Sequence, residues 1–256
     1  QREMITRREL VSALDSLLDQ RRIPDVSNNG LQVEGNGEIR RLAFAVDSGL
    51  ATIEQAAEFK ADMLIVHHGL FWGQPLPAIG THGARLRALF AANISLYAAH
   101  LPLDVHPRFG NNPSILEDAG FTVCGGFAEE RGVAIGCYGT NAEGLGHGEI
   151  CARLERSLGC QPFRTVGDVA GKKFFKAAAI TGSGLRYVEQ AAVAGAEIFL
   201  TGEGSHAAYH QAVECGIPCV FFGHYHSETI GVRRLMKHLE GEYGLDCRFI
   251  DVPTGF

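Results

Sequence analysis

Ser48-Gly-Leu-Ala-Thr-Ile-Glu-Gln-Ala-Ala-Glu-Phe-Lys-Ala-Asp62 recurs at an offset of 135 as Ser183-Gly-Leu-Arg-Tyr-Val-Glu-Gln-Ala-Ala-Val-Ala-Gly-Ala-Glu197. Eight of the fifteen positions are identical, including the Ser-Gly-Leu entry and the Glu-Gln-Ala-Ala core. Each copy follows a short apolar run (42–46 and 174–180) and precedes another (63–66 and 197–200), so each reads as the helix of a βαβ unit. Both halves then reach a further strand, at 95–99 and 218–222. Both leave it with His-x-x-x-carboxylate, from His100 to Asp104 and from His224 to Glu228.

The rest of the chain keeps the same alternation. A last apolar run covers 248–252, and helices fit near 51–60, 82–92, 112–119, 147–158, 185–194, 205–215 and 228–240. Near the start, Thr6-Arg-Arg-Glu9 has the spacing of a capping box, followed by Leu10, Leu14, Leu17 and Leu18 at helical intervals. Alternating strands and helices predict an α/β protein with largely parallel sheets covered on both faces. The repeat predicts two similar three-layer α/β domains from an internal duplication, over 1–125 and 166–256. A Gly-rich connecting region, 126–165, is expected to carry an extra strand and helix.

Bulk composition removes several classes of function. The chain has 256 residues, 46% hydrophobic and 20% charged, as in ordinary globular proteins. Net charge is −6, and basic residues occur as isolated pairs such as Arg21-Arg22, Arg40-Arg41 and Arg233-Arg234. A nucleic-acid footprint is therefore not expected, while a small anionic substrate is compatible. No apolar run approaches the length of about 20 residues that spans a bilayer, so no membrane partner is expected. No signal-peptide pattern is visible, and a start at Gln1 points to a trimmed N-terminus. Seven scattered cysteines without a Cys-x-x-Cys pair read as reduced thiols of a cytoplasmic protein.

The chemistry concentrates at strand ends. Open α/β sheets place ligands beyond the carboxyl ends of their strands, and His67, His68, His100, Asp104, His224 and Glu228 all fall there. With the two halves facing one another, four imidazoles and two carboxylates would converge in the cleft between them. Such donors suit Zn, Mn, Fe, Ni or Co, and their number exceeds the three protein ligands typical of one catalytic zinc. A two-metal site fits better. His224 and Glu228 at i, i+4 would share a helix face, turning His226 away. His67 and His68 are neighbours, which on a regular strand point to opposite faces, so they can share a site only where the strand ends at Gly69. Pro102 makes the His100–Asp104 segment a turn. Glu203, Ser205, His206 and His210 follow the matching strand of the second half as candidate acid–base groups. No H-E-x-x-H, nucleophile elbow, Walker loop or dinucleotide fingerprint stands in strand–helix context.

These motifs resemble the YbgI-like dinuclear-metal-centre family, also described as GTP cyclohydrolase 1 type 2 homologs or NIF-three-like proteins. The resemblance rests on Asn29-Gly-Leu-Gln-Val33, His67-His-Gly-Leu-Phe-Trp72, His100-Leu-Pro-Leu-Asp-Val-His-Pro107 with Gly110-Asn-Asn112, Thr201-Gly-Glu203 and Gly223-His-Tyr-His-Ser-Glu228. It implies two divalent transition-metal ions on His67, His68, Asp104, His224 and Glu228, with His100 close by as a further ligand. It also implies a ring-shaped homohexamer. The expected function is a metal-dependent hydrolase acting on a nucleotide or related small molecule, with Glu203 or His210 moving protons. The alternative is a non-catalytic protein that stores or senses metal or serves as an oligomeric scaffold.

Overall fold

The structure is a computed structural model and describes residues 4–256. Contacts divide the chain into two units. The first runs up to Leu103 and resumes over Val232–Val252; the second is Asp104–Gly231 with Pro253–Phe256. These units do not coincide with the segments 1–125, 126–165 and 166–256 read from the repeat. The connecting region belongs with the second unit, and the chain returns to the first after Gly231.

In the first unit a five-stranded sheet has the order Asp246–Phe249, Arg41–Asp47, Met63–His68, Ser95–Ala98, Gly30–Val33. The first four strands are parallel, and Gly30–Val33 runs antiparallel at the edge. Leu42 to Val46 are all buried, as a parallel strand covered on both faces requires. Helices Leu50–Glu58 and Gly80–Ala92 place Ile53, Ala56 and Leu89 into a core with Leu64, Val66 and Leu96. The capping box is present: the Thr6 hydroxyl accepts from the Glu9 backbone N–H at 3.3 Å, and the Glu9 carboxylate accepts from Thr6 N–H at 3.1 Å. It starts helix Arg7–Leu17, whose Leu10 and Leu14 are fully buried, each stabilising by about 1.5–3 kcal/mol.

In the second unit a six-stranded sheet has the order Thr122–Glu130, Val133–Gly146, Lys173–Ile180, Ile198–Thr201, Cys219–Phe221, Arg164–Val166. Lys173–Ile180, Ile198–Thr201 and Cys219–Phe221 are parallel; Arg164–Val166 is antiparallel at their edge. Each unit thus holds three parallel strands in chain order, with an antiparallel strand from earlier in the chain beside the third. Helix His147–Leu158 buries Ile150, Leu154 and Leu158 against Phe174, Ile198 and Val220.

Four expectations need correction. The connecting region was read with one extra strand, but it contributes most of a long hairpin, Thr122–Glu130 with Val133–Gly146, before its helix. Gly125, Gly126, Gly136 and Gly139 dilute the strand signal there and read as linker. The segments 185–194 and 205–215 each open as a 3-10 turn, Gly184–Tyr187 and His206–Ala208, leaving only Val188–Val193 and Tyr209–Glu214 as α-helix. The final strand is Asp246–Phe249, and it pairs in the first unit with Arg41–Asp47 instead of completing the second half. The helix before it is longer than 228–240: it spans His224–Tyr243 and ends at Gly244 in the left-handed region, φ 64°. All seven cysteines are free thiols, and no helix among the described residues is long and apolar enough to cross a membrane.

Candidate metal centre

In the first unit the carboxyl ends of two adjacent parallel strands, Met63–His68 and Ser95–Ala98, bring His67, His68 and His100 together. One ring nitrogen of each lies within 4.8 Å of the others. Ring centroids are 4.6 Å apart for His67 and His68 and 5.0 Å for His67 and His100, although His67 and His68 are chain neighbours. The strand ends at His68, where alternation no longer holds the two rings on opposite faces. The turn beyond is tied by Gln32, whose side-chain oxygen accepts from Leu70 N–H at 2.7 Å. Gly69 has no room for a side chain there, because a Cβ would come within 2.7 Å of the Ala98 methyl.

Each imidazole has its Nδ1 committed. His67 Nδ1 is 2.9 Å from the Ala99 carbonyl, His68 Nδ1 2.8 Å from Asp47 and His100 Nδ1 3.0 Å from both oxygens of Asp25. Asp25 also accepts from the Asn29 amide and from the Ser27 and Leu101 N–H groups. Burial alone would raise the pKa of Asp25. The His100 contact, the Asn29 amide and the Ser27 N–H outweigh it and bring the carboxyl down to about 2. Asn29 in turn accepts from His100 N–H at 2.8 Å. Within Asn29-Gly-Leu-Gln-Val33, Asn29 and Gln32 thus position the histidine loops.

The second unit supplies oxygen donors. Asp104 closes the single-turn helix Leu101–Asp104, with Pro102 in that turn, and is buried. One of its oxygens accepts from the Asn111 amide at 2.8 Å and from the Thr181 hydroxyl at 3.3 Å. Asn112 accepts from Thr181 N–H at 2.7 Å, which explains the paired asparagines after Gly110. Helix His224–Tyr243 starts at His224, so His224 and Glu228 lie one turn apart on the same face, with Nε2 and a carboxylate oxygen 3.2 Å apart. Donor oxygens of Asp104 and Glu228 lie within 4.8 Å of each other. Gly182, at φ 60°, faces this pair: a Cβ there would sit 3.1 Å from His224 Nε2 and closer still to Glu228. A glycine is needed both for that backbone and for the space in front of the donors.

His224 repeats the pattern of the first unit. Its Nδ1 is 2.8 Å from Glu203 Oε1, and Glu203 also accepts from the Ser183 hydroxyl at 2.6 Å. These two bonds hold the Glu203 carboxyl below the usual range. Burial opposes charge on His224, but the bonds and charges of Glu228 and Glu203 prevail and lift it to about 9. To act as a ligand it must release that proton. In all four imidazoles the Nδ1 partner leaves Nε2 as the donor, the arrangement of histidines that bind metals. This donor set, neutral imidazoles with buried carboxylates, fits a divalent transition metal.

The remaining expected residues lie apart from these donors. His226 packs edge-on against Phe163 and Tyr225, with centroids 6.2 Å and 5.5 Å away. His206 and His210 are exposed and line a cavity of about 650 Å³ that also borders Glu203. Asp25, Asp47, Asn111 and Thr181 were not anticipated as site residues. The only advance signal was their position at strand ends or beside the histidine motifs.

A family profile described as Duf34/NIF3 (NGG1p interacting factor 3) matches residues 5–255. Among relatives, a Deinococcus radiodurans protein named GTP cyclohydrolase 1 type 2 homolog is 40% identical over 98% of this chain and 95% of its own. An Archaeoglobus fulgidus protein of the same name is 42% identical over 96% of this chain and 98% of its own. Among solved structures, protein ybgI, described as of unknown function, is similar with a TM-score of 0.88 and 33% identity, covering 98% of this chain and 99% of that one.

Proposed function

Because the chain belongs to the Duf34/NIF3 family, we propose that it binds two divalent metal ions through His67, His68, His100, Asp104, His224 and Glu228 and works as a metal-dependent hydrolase. The observation that carries this reading is the shared treatment of the four imidazoles. Each has Nδ1 held by a carbonyl or carboxylate, which fixes the tautomer and leaves Nε2 to bind. The two units offer complementary sets, three imidazoles from one and two carboxylates with an imidazole from the other. Neither set by itself supplies the donors that two ions need.

When bound, such ions supply Lewis acidity and a source of hydroxide at neutral pH. The chain's own residues do the rest. Asp25, Asp47 and Glu203 orient the imidazoles, while Asn111 and Thr181 fix Asp104. Gly182 keeps open the space in front of Glu228. His210, exposed on the cavity wall shared with Glu203, is placed to accept or return a proton to a molecule held there. The substrate in this reading is a nucleotide or related small molecule, and the relatives' printed name points to hydrolysis at the purine ring of GTP.

The test is an assay of metal-loaded protein against GTP, other nucleotides and phosphoesters. Activity abolished by Asp104→Ala is the expected result. Complete inactivity with every substrate, or activity indifferent to Asp104→Ala, overturns the hydrolase reading and leaves a storage or sensing role. The homohexameric ring belongs to the same proposal, and light scattering of the purified protein checks it.

A further inference from the structure

The cavity beside Glu203 is not needed to hold metal, yet its lining is selective. It opens past the carboxyl ends of Ile198–Thr201 and Cys219–Phe221, where parallel sheets take their ligands. Aromatic walls come from Phe163, Tyr209 and Phe221. Phe163 is 54% exposed and Tyr209 39%, so two large rings face water where burial would be favourable. The Arg164 guanidinium lies over the Tyr209 ring, its carbon 5.6 Å from the centroid, and forms no ion pair among the described residues. A guanidinium stacked this way keeps its N–H edges free for an incoming anion.

The other polar groups point to the same ligand. Among the described residues Glu203 is the only side-chain carboxylate on the lining, and it is engaged by His224 and Ser183. The other polar side chains on the lining are Arg164, Ser205, His206 and His210, and none of them is acidic. A volume of about 650 Å³ is in the range that holds one small organic molecule.

We propose that this cavity is the substrate seat of the second unit, taking a planar heteroaromatic ring that bears an anionic group. The ring lies against Tyr209 and Phe163, and the anion meets Arg164. Through Glu203 the seat is one side chain removed from His224, so a ring held here borders the donor set of this unit. The assignment rests on the metal-dependent reading above and names the kind of molecule presented to that site.

Calorimetric titration of the purified protein with GMP and with guanosine tests it, alongside metal analysis of every variant. Wild type is expected to bind both saturably. Tyr209→Ala should weaken both by about tenfold, and Phe163→Leu should act in the same direction. Arg164→Ala should weaken GMP by about tenfold while leaving guanosine unchanged. Metal content should stay at the wild-type level in all three, since none of these side chains is a metal donor. Absence of saturable GMP binding by wild type overturns the proposal. So does GMP affinity within about twofold of wild type in both Tyr209→Ala and Arg164→Ala. If the protein holds no metal yet shows the expected GMP pattern, the metal reading falls and the seat stands.

Discussion

At the ends of its three central parallel strands the first unit carries Asp47, His68 and His100, whereas the second carries Gly182, Glu203 and His224. Under the offset of 135, Asp47 corresponds to Gly182 and His68 to Glu203. In the first unit the central position is a candidate donor, His68, oriented by Asp47 from the neighbouring strand. In the second it is a carboxylate, Glu203, bonded to the candidate donor His224 on the next connection. Gly182, where the first unit has its carboxylate, leaves room for Glu228. A similar strand plan therefore presents three imidazoles in one unit and an imidazole with two carboxylates in the other, with candidate donor and support exchanging places.

Removing a donor should test this division most severely. Glu228→Gln is expected to lower metal affinity by more than about 100-fold, because even the loss of a supporting partner typically costs 10–100-fold. Metal analysis after dialysis reads this, and wild-type metal content in Glu228→Gln would break the assignment of oxygen donors to the second unit. Gly182→Ala comes next. It combines strain of about 1–3 kcal/mol at a positive φ with a methyl group pressed against Glu228. A lowered melting temperature together with lost metal is expected, and a fully loaded variant would show that the space is not needed.

Supporting residues give a smaller and more discriminating comparison. Asp25→Asn, Asp47→Asn and Glu203→Gln should each reduce metal affinity by about 10–100-fold. Similar losses across the three would sharpen the idea that donor and support exchange roles. A silent Glu203→Gln would end it. The smallest effect is expected from Thr6→Ala, which removes the capping hydroxyl far along the chain from any donor. Stability should fall by about 1 kcal/mol in denaturant titration with metal content unchanged.

Much of this was legible because strand ends are local features. The repeat located the parallel strands, and His-x-x-x-carboxylate marked where His100, Asp104, His224 and Glu228 leave them. The partners were not legible, because they come from afar in the chain. Asp47 lies 21 residues from His68, Asp25 is 75 from His100, and Thr181 is 77 from Asp104. No spacing rule reaches that far, and a lone aspartate in a loop carries no mark of its partner. The hairpin Thr122–Glu130 with Val133–Gly146 escaped for a different reason, since its glycines remove the β-branched pattern that announces a strand. Glu203 was read as a proton carrier because only its chemistry was visible; its bond to His224 gives it a positioning task.

The pairing of Asp246–Phe249 with Arg41–Asp47 carries a consequence in time. During synthesis the first unit's sheet has three of its four parallel strands long before the fourth emerges, since the whole of Asp104–Gly231 is made in between. Until then one side of Arg41–Asp47 presents unpaired N–H and C=O groups, the kind of open edge that recruits other chains. The nascent protein thus passes through a period of exposure that the finished fold conceals. A shortened chain lacking Asp246–Phe249 would remain in it.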